Sequence, residues 1–146
     1  MTDAGGGHVL LLNWRDTGHP EGGGSEVFLE RVAAELVIRG YRATLLCQAY
    51  GSAPAEEITP QGVRIVRRGG RHTVYLFAAL VYLAGAIGFG PLSSRRLGRP
   101  DVLVDVGNGM PFLSRLYARR PVIVLVHHVH REIGRASCRE RVYDDV

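Results

Sequence analysis

The chain has 146 residues, 46% of them hydrophobic and 22% charged, which suits one ordinary globular domain rather than two. Its formal charge is +4 and all 18 basic residues are arginine, giving a surface suited to anionic partners such as phosphates or acidic lipid. The arginines come in small clusters with no aromatic-basic motif, which argues against nucleic acid, and the isolated Cys47 and Cys138 indicate neither a disulfide framework nor a zinc knuckle.

Met1 to Gly7 is polar and glycine-rich, unlike a signal peptide, so a cytoplasmic location is expected. "HVLLLN" (His8 to Asn13) has the continuous apolar character of a strand buried on both faces. After a polar loop and three glycines, a helix is predicted from Ser25 to about Arg39. Phe28, Val32 and Leu36 form one apolar row, with Leu29, Ala33 and Val37 beside it. Arg31, Glu35 and Arg39 make a charged row on the outer face, and Gly40 suits the helix end. "YRATLLCQ" reads as a second strand, "GSAPAEEITPQG" as a loop and "VRIVRR" as a third strand. Thr73 to Gly90 is apolar and predicted helical. "DVLVDV" makes a fourth strand, "MPFLSRLYARR" a short helix and "PVIVLVHH" a fifth strand. Buried-type strands alternating with helices predict a parallel α/β sheet.

Four places on this pattern could carry chemistry. Gly22, Gly23 and Gly24 join the first strand to a helix N-terminus. Such a turn either lets backbone N–H groups approach a phosphate or is a connector that needs positive φ angles. Its spacing matches neither GxGxxG nor GxxxxGK[ST]. "VHHVHRE" puts His127, His128 and His130 at the C-terminal edge of the fifth strand, where open α/β sheets collect ligands. His128 and His130 would share one strand face without an acidic or cysteine partner, so no metal site is expected, and hydrogen-bonded strand-end histidines with no ligand are the plain alternative. In "DVGNGMPF", Asp105, Asn108 and Gly109 could touch an acceptor, or Asn-Gly could simply turn the chain. Asp16 and His19 in the first loop are acceptor-binding candidates on similar terms, the alternative being a solvated pair.

Thr73 to Ser94 holds no charged residue and approaches membrane-spanning length, but a span there would split one sheet. A buried helix is one alternative. Another is a helix lying on a membrane surface, with Arg67, Arg68 and Arg71 facing anionic headgroups just before it.

The run "NWRDTGHPEGGGSEVFLERVAAELVIRGYRATLLC" closely resembles the opening of family 4 retaining glycosyltransferases. Those enzymes begin with a strand, a loop ending in Gly-Gly, and a helix carrying Glu two residues on; here these are Gly23, Gly24 and Glu26. "GVRIVRRGGRHTVYL" and "DVLVDVGNGMPFLSRLYARRPVIVLVHHVHRE" continue the resemblance, which covers nearly all of residues 8 to 132. It implies a Rossmann-like parallel sheet with flanking helices, the incomplete N-terminal half of a GT-B fold that supplies the acceptor side of the cleft. The donor would be a nucleotide-diphosphate sugar, with no cofactor or metal. Gly23, Gly24 and Ser25 would meet the donor phosphates, and His127 would bond the donor sugar near its reacting carbon. The acceptor, a glycan, lipid or small molecule, is not named by the sequence. Relatives that work on lipid-linked or cell-envelope glycans imply peripheral attachment at the inner face of a membrane.

"EIGRASCRERV" resembles a translated sequencing adaptor. Residues 1–132 are therefore expected to be a partial N-terminal domain and residues 133–146 a non-native tail, the truncated chain alone being inactive. Two other classes fit the same residues. One is a non-catalytic flavodoxin-like module binding a phosphorylated ligand; the other, resting only on the apolar stretch, is a membrane-anchored interaction protein.

Overall fold

A computed structural model describes residues 6–108 and 110–127. In chain order it contains β1 (His8–Leu12), α1 (Gly24–Ile38), β2 (Arg42–Cys47), β3 (Glu56–Ile58) and β4 (Arg64–Arg67). There follow α2 (Val74–Ala86), α3 (Ser94–Leu97), β5 (Val102–Gly107), a 3-10 turn (Ser114–Leu116) and β6 (Val122–Val126). The strands form one sheet in the order β3-β4-β2-β1-β5-β6, parallel throughout except for β3. The expected Rossmann-like α/β sheet is therefore present.

Its two faces are built from the alternation of side chains along each strand. Leu10 and Leu12 point to the α2 side, where Leu46, Val66, Val74, Ala78, Leu103 and Phe112 complete one core cluster. Leu11 points to the α1 side with Leu29, Ala33, Leu45, Ile65 and Val106. Leu10 and Leu11 are 0% exposed and Leu12 1%. Burial of each such leucine stabilises the fold by about 1.5–3 kcal/mol.

The helix ends follow the sequence. Gly40 takes φ +88, its N–H donates to Val37 and that of Tyr41 to Leu36, a paired arrangement that satisfies the last carbonyls of α1. Glu35 and Arg39 make the expected outer-face ion pair at 2.9 Å. The other apolar row of α1 departs from expectation. Leu29 and Ala33 are buried, whereas Phe28 and Val32 lie half-exposed beside them, so the helix seats its smaller residues on the sheet. α2 stops at Ala86, short of the predicted Gly90, where Gly88 and Gly90 adopt left-handed φ values of +93 and +78.

Three elements differ from expectation. The segment read as a loop contains β3, whose Glu56–Ile58 pair antiparallel with β4. Glu56 is held there by Arg64 and Arg68 at 2.9 and 3.0 Å. The helix predicted over Met110 to Arg120 is reduced to the 3-10 turn. Asp105 captures the amides of Phe112 and Ser114 at 2.9 and 3.1 Å and the Ser114 hydroxyl at 2.8 Å. Leu113 between them has φ 54, outside the helical region. The four-residue α3 went unread; Ser93 caps it by accepting the Arg95 N–H.

No helix among the described residues is long and apolar enough to cross a membrane. α2 packs Val74, Ala78, Val81 and Gly85 inward and leaves Leu76, Leu80, Leu83 and Ile87 exposed.

Candidate functional site

The chain runs outward from β1 to β2 and β4, then crosses back over β1 to add β5 and β6. The strand order thus reverses between β1 and β5. The C-terminal ends of those two strands form the crevice where doubly wound sheets place ligands. Asn13, immediately after β1, is fully buried, and its Nδ2 donates to the Arg15 carbonyl at 2.8 Å. Its Oδ1 accepts from Asn108 Nδ2 at 3.1 Å, tying the ends of the two strands together. β5 and β6 pair Gly107 with Val126, so Asn108 and His127 leave the sheet side by side.

Buried polar atoms without a hydrogen-bond partner collect along this edge: Asn108 Oδ1, Arg15 Nε and His127 Nε2. Folded proteins pair nearly all such atoms, which makes this edge the candidate site. The Arg15 guanidinium lies 3.9 Å from the Trp14 ring centroid and reaches the carbonyl and carboxylate of Glu21 at 3.1 and 2.6 Å. It therefore sits under the glycine turn. The His127 ring meets the edge of Phe28, from the first turns of α1, at 5.6 Å between centroids.

The glycine turn does not use the positive φ angles that one reading of its sequence called for. None of Gly22, Gly23 and Gly24 has a left-handed φ, so torsion does not demand glycine. A Cβ on Gly22 would press at 3.0 Å on the carbonyl oxygens of Asp16 and His19. One on Gly23 would come no nearer than 3.6 Å to anything, and one on Gly24 would meet nothing within 4 Å. Gly22 is thus needed for packing, whereas a side chain at Gly23 or Gly24 would meet open space at the helix N-terminus. The Glu26 carboxylate accepts the Gly23 N–H at 2.7 Å. Burial pushes its pKa up, but hydrogen bonds led by the Gly23 N–H outweigh that and hold it below the usual carboxylate range. The Gly24 and Ser25 N–H groups have no acceptor among the described residues. They are the free donors of a helix start. Gly24→Leu is accordingly expected to leave the melting temperature unchanged, whereas Gly22→Ala costs about 1 kcal/mol of stability. Thermal melts of the two variants check this.

The other candidates are placed differently. Asp16 is 1% exposed, its Oδ2 bonded to Arg67 Nε at 2.7 Å, so it is a structural partner and not an acceptor contact. Arg67, expected to face membrane headgroups, is 3% exposed. It also bonds Glu57 at 3.0 Å and the Pro54 carbonyl at 2.9 Å. Desolvation would lower its pKa, but the hydrogen bonds it donates to Glu57 and Asp16 outweigh it and raise the value above the ordinary one. Arg68 is half-buried and tied to Glu56 and two carbonyls, which removes it from the headgroup role as well. Only Arg71 of the three is exposed. His19 Nδ1 accepts the Glu21 N–H at 3.0 Å and its ring stands edge-on to Tyr50 at 5.0 Å. Burial, followed by a hydrogen bond to Asp16, pushes the Tyr50 phenol up to about 12. Asp105 is consumed in pinning the loop after β5. Gly109, His128, His130 and the stretch 133–146 lie outside the described residues.

Sequence reading passed over Asn13 and Arg15. Their signal was a polar pair directly after a fully apolar strand, at the edge where ligands collect. Among the described residues no group of three His, Cys, Asp or Glu side chains could hold a metal ion.

A family model described as "Glycosyl transferase 4-like domain" matches residues 23–145, from the glycine turn through β6 and beyond. No curated protein and no solved structure matches the chain.

Proposed function

The chain belongs to the glycosyl transferase 4-like domain family, and on that premise we propose that it supplies the acceptor side of the cleft of a retaining glycosyltransferase. The observation that carries this reading is the open glycine turn: Gly23 and Gly24 have no internal need to be glycine, and the N–H groups of Gly24 and Ser25 have no acceptor among the described residues. A donor diphosphate fits there. Backbone donors fixed in advance stabilise charge growing on the leaving group without reorganising. Arg15, paired with Glu21 just before the turn, adds a positive charge beside it. His127 bonds the donor sugar, and Asn108 contacts the acceptor hydroxyls from the neighbouring strand end. A second α/β domain holds the rest of the nucleotide sugar, and no cofactor takes part.

Titration of the isotope-labelled chain with inorganic pyrophosphate and with uridine and guanosine diphosphates tests the turn. Amide resonances of Gly24 and Ser25 shift on this account. If the shifts fall elsewhere or nowhere, the donor-phosphate role is wrong.

The exposed stripe Leu76, Leu80, Leu83 and Ile87, with Arg71 just before its helix, supports peripheral contact with an anionic membrane. Co-sedimentation with phosphatidylglycerol vesicles at low salt is expected to fall about tenfold for Leu76→Ser combined with Leu80→Ser. Equal retention of both proteins would remove α2 as the contact.

A further inference from the structure

At the opposite edge of the sheet from the crevice, where β5 and β6 begin, lies a cavity of about 390 Å³. That volume falls within the range of small-molecule sites. Its floor is Leu92 and the rings of Tyr82 and Tyr117, which pack 5.7 Å apart between centroids. Gly85 brings α2 close over Leu92: a Cβ there would collide with the Leu92 carbonyl. Three arginines stand at the mouth. Arg99 comes from the segment before β5, and Arg119 and Arg120 from the one before β6.

Two features of this cavity are unspent by the fold. Arg99, Arg119 and Arg120 are exposed, and none forms an ion pair among the described residues. The nearest acid in sequence, Asp101, is turned onto the His8 N–H at 2.7 Å. The Tyr117 hydroxyl is buried with no hydrogen-bond partner, although phenols in such surroundings normally find one. Burial pushes its pKa up, so it stays a neutral donor. Apolar walls, a neutral hydroxyl donor and three guanidiniums on one rim suit a ligand with an apolar body and a compact anionic head.

We propose that this cavity is a second binding site, separate from the crevice, for a phosphate monoester carried on an alkyl or prenyl chain. The chain lies against Leu92 and the two tyrosine rings, while the phosphate is held by Arg99, Arg119 and Arg120. Nothing in it depends on the glycosyltransferase reading, since the crevice and this cavity lie at opposite ends of the strands.

Isothermal titration of the full chain with hexyl phosphate, inorganic phosphate and hexanol tests the site. Hexyl phosphate binds at least about tenfold more tightly than either fragment. The combined change Arg99→Ala, Arg119→Ala and Arg120→Ala weakens it by about tenfold or more, and Tyr117→Phe by about threefold. All three arginines are exposed, so melting of the triple variant matches the parent. As a readout that needs no variant, hexyl phosphate raises the parent's melting temperature and the two fragments do not. Equal affinity for hexyl phosphate and inorganic phosphate, or undiminished binding by the folded triple variant, overturns the proposal. Phosphatidylcholine vesicles doped with phosphatidic acid identify the source. Retention that the triple variant abolishes assigns a membrane lipid, and hexyl phosphate binding with retention unaffected by the triple change assigns a soluble ligand.

Discussion

His127→Ala is expected to reduce sugar transfer about 100- to 1,000-fold, the range seen when one preorganised donor to developing charge is removed. The size follows from position. Val126 pairs with Gly107, so His127 steps off the sheet beside Asn108, next to the strand-order reversal. Its Nε2 is buried and unpartnered. Among the described residues the ring meets the edge of Phe28, and the residue is half-buried, so truncation opens no closed cavity. The loss should therefore fall on kcat, with the melting temperature unchanged. His127→Gln, which keeps a side-chain donor, should recover part of the rate. Transfer unaltered by His127→Ala removes the histidine from the reaction.

Arg67→Ala is expected to destabilise the fold by about 3–5 kcal/mol, since it strands a buried carboxylate without its partner. Asp16 and Arg67 are 1% and 3% exposed, and their ion pair measures 2.5 Å. A loss of that size is a large share of the stability of an ordinary domain. The pair has a positional consequence too. It clamps the loop leaving β1 to the end of β4, and the same loop carries Arg15 and the glycine turn. Urea denaturation measures the effect. Replacing both partners together, Asp16→Leu with Arg67→Met, should cost less than Arg67→Ala alone, because no unpaired charge remains. A single-variant loss below about 1 kcal/mol would show that water or another group already solvates Asp16.

The α/β alternation was legible because the strands that matter are continuous apolar runs, such as Leu10 to Leu12. Such runs are buried wherever the helices pack. β3 was not legible: three residues with two glutamates carry no period, and the strand exists because β4 offers it an edge. The reduced helix after β5 was hidden for a similar reason. Asp105 takes the Phe112 and Ser114 amides, a tertiary demand that overrides the local pattern. The site shows the same division. Gly23 and Gly24 sit where chain order alone places them, at the start of α1, and His127 at the end of β6. Asp16 and Arg67, 51 residues apart, looked like exposed polar groups until the fold brought them together. Asn13 and Asn108, 95 apart, are joined the same way, by the crossing of the chain over β1.

The most direct test of the central claim is the configuration of a transferred sugar. The native gene product, incubated with a panel of α-linked nucleotide-diphosphate sugars and envelope extracts as acceptors, should form an α-linked product whose anomeric coupling shows retention. The rate should fall in the His127→Ala protein. A β-linked product, or binding of the nucleotide sugars with no transfer to any acceptor, would contradict it.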